Sequence, residues 1–194
     1  VIDNLSSGTE SHVAASLENF GGELKIVDLK DREATILALG RVDLVAHFAA
    51  NPNIAAAETR PDIDFWEGTL LTQNLLEAIR LGGTRYLIYA SGSGVYGESA
   101  EDFSESHGPC QPISTYGASK LACESMISAY CHMFGLRART LRFANVVGPR
   151  QTHGICYDLI RKLISDPTRL QVLGDGSQTK SYIHVEDVVR AMLL

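Results

Sequence analysis

The chain has 194 residues, 45% of them hydrophobic and 21% charged, and its 17 basic and 23 acidic side chains leave a net charge of −6. That is the balance of a globular chain with material for one domain, or for one domain and part of a second. It carries no basic run for nucleic acid, no apolar stretch near the ~20 residues of a membrane span, and no cationic-apolar leader. In chain order, apolar runs predict strands at 1–3, 24–28, 42–48, 86–91 and 138–143. Helical patterns fall between them at 11–20, 32–39, 62–81 and 115–134. Gly21-Gly22 and Gly82-Gly83 stand where helices should stop, each shortly before a strand. From Val146 the texture loosens, with a helix expected at 157–164, a short strand at 170–173 and a last helix from Val185. Strands alternating with helices predict an α/β fold, a parallel sheet covered on both faces.

Cys110, Cys123, Cys131 and Cys156 form neither a Cys-x-x-Cys pair nor a dense framework. They point to buried small hydrophobes in a reducing, cytoplasmic setting, and no metal site is expected. His47, His153 and His184 are read as structural, since none has a partner at metal spacing.

The chemistry gathers at Tyr116-Gly117-Ala118-Ser119-Lys120. A tyrosine and a lysine four apart share one helical face. A free phenol, with a pKa near ~10, is a poor base at neutral pH. An ammonium one turn away should lower that value and let the pair exchange a proton with a sugar or alcohol hydroxyl. Spacing alone would equally suit a surface pair.

Other segments accompany it in a fixed order: Asp3-Asn4-Leu5-Ser6-Ser7-Gly8, Asp28-Leu29, His47-Phe48-Ala49-Ala50, Ser91-Gly92-Ser93-Gly94-Val95-Tyr96-Gly97, Leu141 through Arg150, and Gly174 through His184. Together they resemble the extended short-chain dehydrogenase/reductases, in the NAD-dependent epimerase/dehydratase branch, with UDP-glucose 4-epimerase-type enzymes nearest. The resemblance implies a Rossmann-type doubly wound sheet, NAD as cofactor, and a nucleotide-sugar substrate, a UDP-sugar first. It further implies 4-epimerisation through a 4-keto intermediate and a homodimer built on the two long helices.

On that resemblance Tyr116 and Lys120 are catalytic, and Asp3 receives the adenosine ribose, favouring NAD over NADP. Asp28 and Leu29 border the adenine, Ala49 and Ala50 line the cofactor path, and Phe143 packs near the nicotinamide. Asn145 and Lys180 would hold the sugar-nucleotide diphosphate. Lysine supplies charge there without the bidentate fork of the more usual arginine.

Several departures qualify this, Gly68 among them, where the family usually shows asparagine. The family's catalytic hydroxyl usually lies three residues before the valine, where this chain has Gly92; Ser93 or Ser91 could supply it if the glycines let the turn shift, with Ser93 preferred, and otherwise the serines bond only to backbone. Gly94 stands where related dehydratases and decarboxylases carry an acid, which disfavours but leaves open a dehydratase or decarboxylase. A catalytically silent sugar-nucleotide-binding relative is the third reading. No Gly-x-x-Gly-x-x-Gly turn occurs anywhere, so the chain reads as an internal piece. It would lack the first, central strand and its glycine-rich turn, with a partial NAD-binding domain over 1–148 and part of a substrate domain over 149–194. Such a piece is expected to be inactive alone.

Overall fold

The structure, a computed structural model, describes residues 1–98, 103–152, 154–172, 175–176 and 179–194. The chain divides into two compact units, Val1–Arg142 and Phe143–Leu194.

In the first unit the strands are β1 (Ile2–Asp3), β2 (Lys25–Ile26), β3 (Leu44–His47), β4 (Tyr86–Gly92) and β5 (Arg137–Phe143), the last running one residue into the second unit. Between them lie α1 (Ala14–Phe20), α2 (Arg32–Leu39), α3 (Leu71–Gly82) and α4 (Thr115–Phe134). β1 pairs in parallel with β2, β3 pairs in parallel with β4, and β4 is also bonded to β5. Among the described residues no pairing joins β1 to β3. Each keeps an open edge, as a doubly wound sheet without its central strand requires. β1 and β2 are accordingly short, and Ile26 is left 66% exposed.

The core forms where β3 and β4 meet α3 and α4. Val45, Leu75, Leu76, Ile79, Leu87, Tyr89, Cys123, Ile127 and Leu136 pack together there, with Met126, Tyr130 and Cys131 against them. Burial alternates along β4, which puts Leu87, Tyr89 and Ser91 on the inner face. Helix ends follow the glycines: α1, α3 and α4 stop at Gly21, Gly83 and Gly135, all left-handed.

The expected helix over 62–81 differs at its start. Phe65–Leu70 forms a π-helical turn before α3 begins, an extra residue that apolar spacing does not reveal. The strands expected at 24–28 and 42–48 shorten, having one paired side each.

In the second unit, β6 (Asn145–Val147) pairs in parallel with β7 (Tyr182–His184), followed by α6 (Val185–Leu193), while α5 (Ile155–Ser165) lies between the strands in sequence. β6 and β7, each three residues long, lie outside the strands that the apolar runs predict. The strand expected at 170–173 does not form over 170–172, and residue 173 lies outside the described residues, as do His153 and Gly174.

Candidate active site

The site begins where α4 starts. The Ser114 hydroxyl caps the helix by accepting the Gly117 N–H at 3.0 Å. Thr115 donates its hydroxyl to Asp64 Oδ2 at 2.7 Å, and Ser119 donates to the Asp64 carbonyl at 2.7 Å. Asn51 Nδ2 donates to Asp64 Oδ1 at 2.8 Å. Asp64, 2% exposed, therefore fixes the first turn of the helix that carries Tyr116. Nothing in the sequence marks it out, because its partners lie 13 to 55 residues away.

Lys120, one turn on, is 5% exposed. Its Nζ donates to the Ala90 carbonyl at the end of β4, across 2.7 Å. The same nitrogen stands 5.0 Å from the centre of the Tyr89 ring and 5.6 Å from that of Tyr116. Tyr116 is half-buried. Burial pushes its phenol above the ordinary value, and the Asp64 carboxylate adds to the rise. Burial also pushes the Lys120 ammonium down. The expected direction is thus reversed: Lys120 is desolvated, and the residue acting on Tyr116 by charge is an anion.

The turn after β4 packs on this helix end. Ser93–Val95 is a 3-10 turn, and a side chain at Gly117 would stand 2.4 Å from the Gly94 carbonyl oxygen. Ser93 is exposed at that turn. Ser91 is buried, and its hydroxyl donates to Glu124 Oε1 at 2.6 Å. Arg142 also grips Glu124, through Nε at 3.0 Å to Oε1 and Nη2 at 2.7 Å to Oε2, and its guanidinium lies 4.8 Å over the Tyr96 ring. Glu124 and Arg142 are polar anchors that the sequence reading passed over, since only their meeting in space distinguishes them.

Asp3 ends β1, where its Oδ1 accepts the Leu5 N–H at 2.6 Å. Leu5 takes a left-handed backbone (φ 55°), and a Cβ on Gly8 would lie 2.9 Å from both Asp3 oxygens. Only glycine at position 8 leaves room for the Asp3 carboxylate. Asp28 accepts the Lys30 N–H on Oδ1 and Asn4 Nδ2 on Oδ2, at 2.9 and 3.2 Å. Together with Lys30 these bonds hold its carboxyl below the usual carboxylate range despite the opposing pull of burial. The Leu29 side chain is buried, and its carbonyl accepts Asn74 Nδ2. Only its backbone can border a ligand. Ala49 and Ala50 follow β3 and are accessible.

His47 is buried, with Nε2 2.9 Å from the Thr72 hydroxyl and its ring 5.5 Å from that of Tyr89. Burial, with a smaller push from Lys120, lowers its pKa to about 3, so it is a neutral core residue.

In the second unit Phe143 is half-buried, and Asn145 gives both its backbone N–H and Nδ2 to the Ser181 carbonyl at 3.1 Å. Lys180 is exposed just before β7. The described residues contain no cluster of metal-ligating side chains, their four cysteines are free, and no helix is long and apolar enough to cross a membrane.

Comparison with known proteins gives a consistent result. The family model described as "NAD dependent epimerase/dehydratase family" matches residues 1–194. UDP-glucose 4-epimerase of Corynebacterium glutamicum is 31% identical over 216 residues, covering 100% of this chain and 62% of that protein. Among solved structures, a UDP-galactose 4-epimerase superposes with a TM-score of 0.87 at 42% identity, over 100% of this chain and 61% of its own. A double mutant of the dTDP-glucose 4,6-dehydratase DesIV of Streptomyces venezuelae, with NAD bound, superposes with a TM-score of 0.90 at 26% identity, over 99% of this chain and 60% of its own. The chain spans about three-fifths of the length of these relatives.

Proposed function

This chain belongs to the NAD dependent epimerase/dehydratase family, and we propose that the complete protein interconverts a UDP-sugar and its 4-epimer through a 4-keto intermediate. The observation that carries the reading is the end of β4, where Lys120 holds the Ala90 carbonyl, Tyr116 lies one turn away and the Ser93 turn packs against the same helix end. NAD, when bound, supplies a hydride acceptor that is regenerated within the cycle. Asp3, Asp28, the Leu29 backbone, Ala49, Ala50, Tyr116, Lys120 and Phe143 would hold it.

Tyr116 takes the proton of the sugar hydroxyl and later returns it. Because burial first, and Asp64 second, raise the phenol, the reaction needs a cation beside Tyr116 that outweighs both. Lys120, whose Nζ stands 5.6 Å from the ring centre, can supply part of that charge. Ser93 serves as the hydroxyl that bonds the reacting oxygen, since Ser91 is engaged by Glu124. Asn145 and Lys180 hold the diphosphate. The complete protein is assigned to the cytoplasm and to a homodimer through its long helices, and its mass in solution tests the latter. A chain without the glycine-rich turn should bind NAD weakly by itself, because that turn supplies the N–H groups that hold the pyrophosphate.

The dehydratase reading draws on DesIV but meets Gly94, which offers no acid. Assay of the complete protein with UDP-glucose and UDP-galactose separates the readings by product. Tyr116→Phe should lower the rate by on the order of 100-fold or more. A variant of normal rate would remove Tyr116 from the chemistry, and a wild-type protein that binds UDP-sugar without turnover would indicate a silent relative.

A further inference from the structure

A cavity lies at the end of β4 opposite to Ala90. It has a volume of about 390 Å³ and sits where α3 and α4 end and β4 and β5 begin. At about 3.3 Å per strand residue, it is roughly 15 Å from Ala90 and the Lys120 ammonium. Arg80, Arg85, Arg137, Thr84, Tyr86 and Tyr130 are among its lining, and no acidic side chain is. Arg80 is committed to Glu77, giving Nε and Nη2 at 2.9 and 3.0 Å. Arg85 and Arg137 are in no ion pair among the described residues. Arg137 instead lies 5.9 Å over the Tyr86 ring. Thr84, 7% exposed, forms the floor between these two arginines.

We propose that this cavity binds the phosphate group of a small phosphate monoester, with Arg85 and Arg137 donating to its oxygens. The charge favours an anion. The C-terminal ends of α3 and α4 each bring about half a negative charge, against a full positive charge on each of the two uncommitted guanidiniums. Arginine suits phosphate because its planar fork donates two parallel hydrogen bonds. The volume exceeds what phosphate alone needs and falls in the range of small-molecule pockets, while Tyr86, Tyr130 and Phe134 give walls for a carbon body.

The test is calorimetric titration of glucose 1-phosphate into the complete protein at low ionic strength, with inorganic phosphate in parallel. Arg85→Gln, which removes an exposed side chain, should weaken glucose 1-phosphate binding about tenfold, and Arg85→Gln with Arg137→Gln should abolish it. Inorganic phosphate should bind more weakly and show the same arginine dependence. Binding that is absent in the wild type, or unchanged in the Arg85→Gln and double variants, overturns the proposal. So does binding lost in Lys180→Gln and kept in Arg85→Gln, since the ligand would then sit at the sugar-nucleotide site. Epimerase activity plays no part in the readout, so failure here is distinguishable from failure of the proposed function.

Discussion

Ser91 donates its hydroxyl to Glu124 at 2.6 Å, and the same carboxylate receives two nitrogens of Arg142. The end of β4, the middle of α4 and β5 thereby share one anion, and Arg142 carries the connection on to the face of Tyr96. The turn that bears Ser93 is bracketed by Ser91 on one side and Tyr96 on the other, so its position depends on Glu124.

Replacing Glu124 tests that dependence. Glu124→Ala leaves the Arg142 guanidinium, whose side chain is 21% exposed, without its anion. Unfolding by urea should show a loss of about 2–4 kcal/mol. Glu124→Gln, which keeps an acceptor for Ser91, should lose less. Equal losses in the two variants would mean that the charge on Glu124 contributes nothing.

Asp64 sets the second prediction, which concerns activity. Its carboxylate raises the Tyr116 phenol, so the rising limb of kcat/KM against pH should lie on the alkaline side in the complete protein. Asp64→Asn removes the charge while keeping the shape, and the limb should move to lower pH. A limb that stays put would show that burial alone, the larger of the two causes, sets the phenol.

Acid stability follows from His47. Its pKa falls from 6.5 to about 3 on folding, so below pH 6.5 the unfolded chain binds a proton that the folded chain refuses. Stability is unaffected above that range and should fall as pH drops from 6.5 toward 3, by roughly 3–5 kcal/mol at full extent. Glu77 adds to this in a lower window. Its carboxyl is held down to about 2 by Arg80 and Tyr130, so its contribution is present above 4.5 and is lost as pH falls toward 2. Denaturant midpoints across this range should lose most of the upper slope in His47→Gln.

Gly117→Ala tests the packing of the Ser93 turn on α4. The added carbon would meet the Gly94 carbonyl at 2.4 Å and the Pro112 side chain at 3.0 Å. Backbone must move to admit it, at a cost of about 1–3 kcal/mol. Tyr116 and the turn should separate, so kcat should fall more than thermal stability alone explains. An unchanged kcat would detach that packing from function.

The Tyr116–Lys120 pairing was legible in sequence because a four-residue spacing is a local property of a helix. The strands and helices around it were legible from alternation and from the glycines that end helices. What escaped depends on distance in sequence or on burial. Asp64 is 51 residues from Thr115, and Glu124 is 33 from Ser91. The phenol's upward shift escaped because spacing shows that an ammonium is near but not how much water has left. The π turn at Phe65–Leu70 escaped because one additional residue barely disturbs the apolar stripe.

The strand pairing has a kinetic reading as well. Among the described residues β4 alone in the first unit is bonded on both sides, while β1, β2, β3 and β5 each have one neighbour. Amide protons should therefore exchange with solvent slowest along Leu87 to Ser91 and fastest in β1 and β2. Whatever lengthens protection in β1 and β3 together, and leaves β4 as it was, must be occupying the space between their open edges.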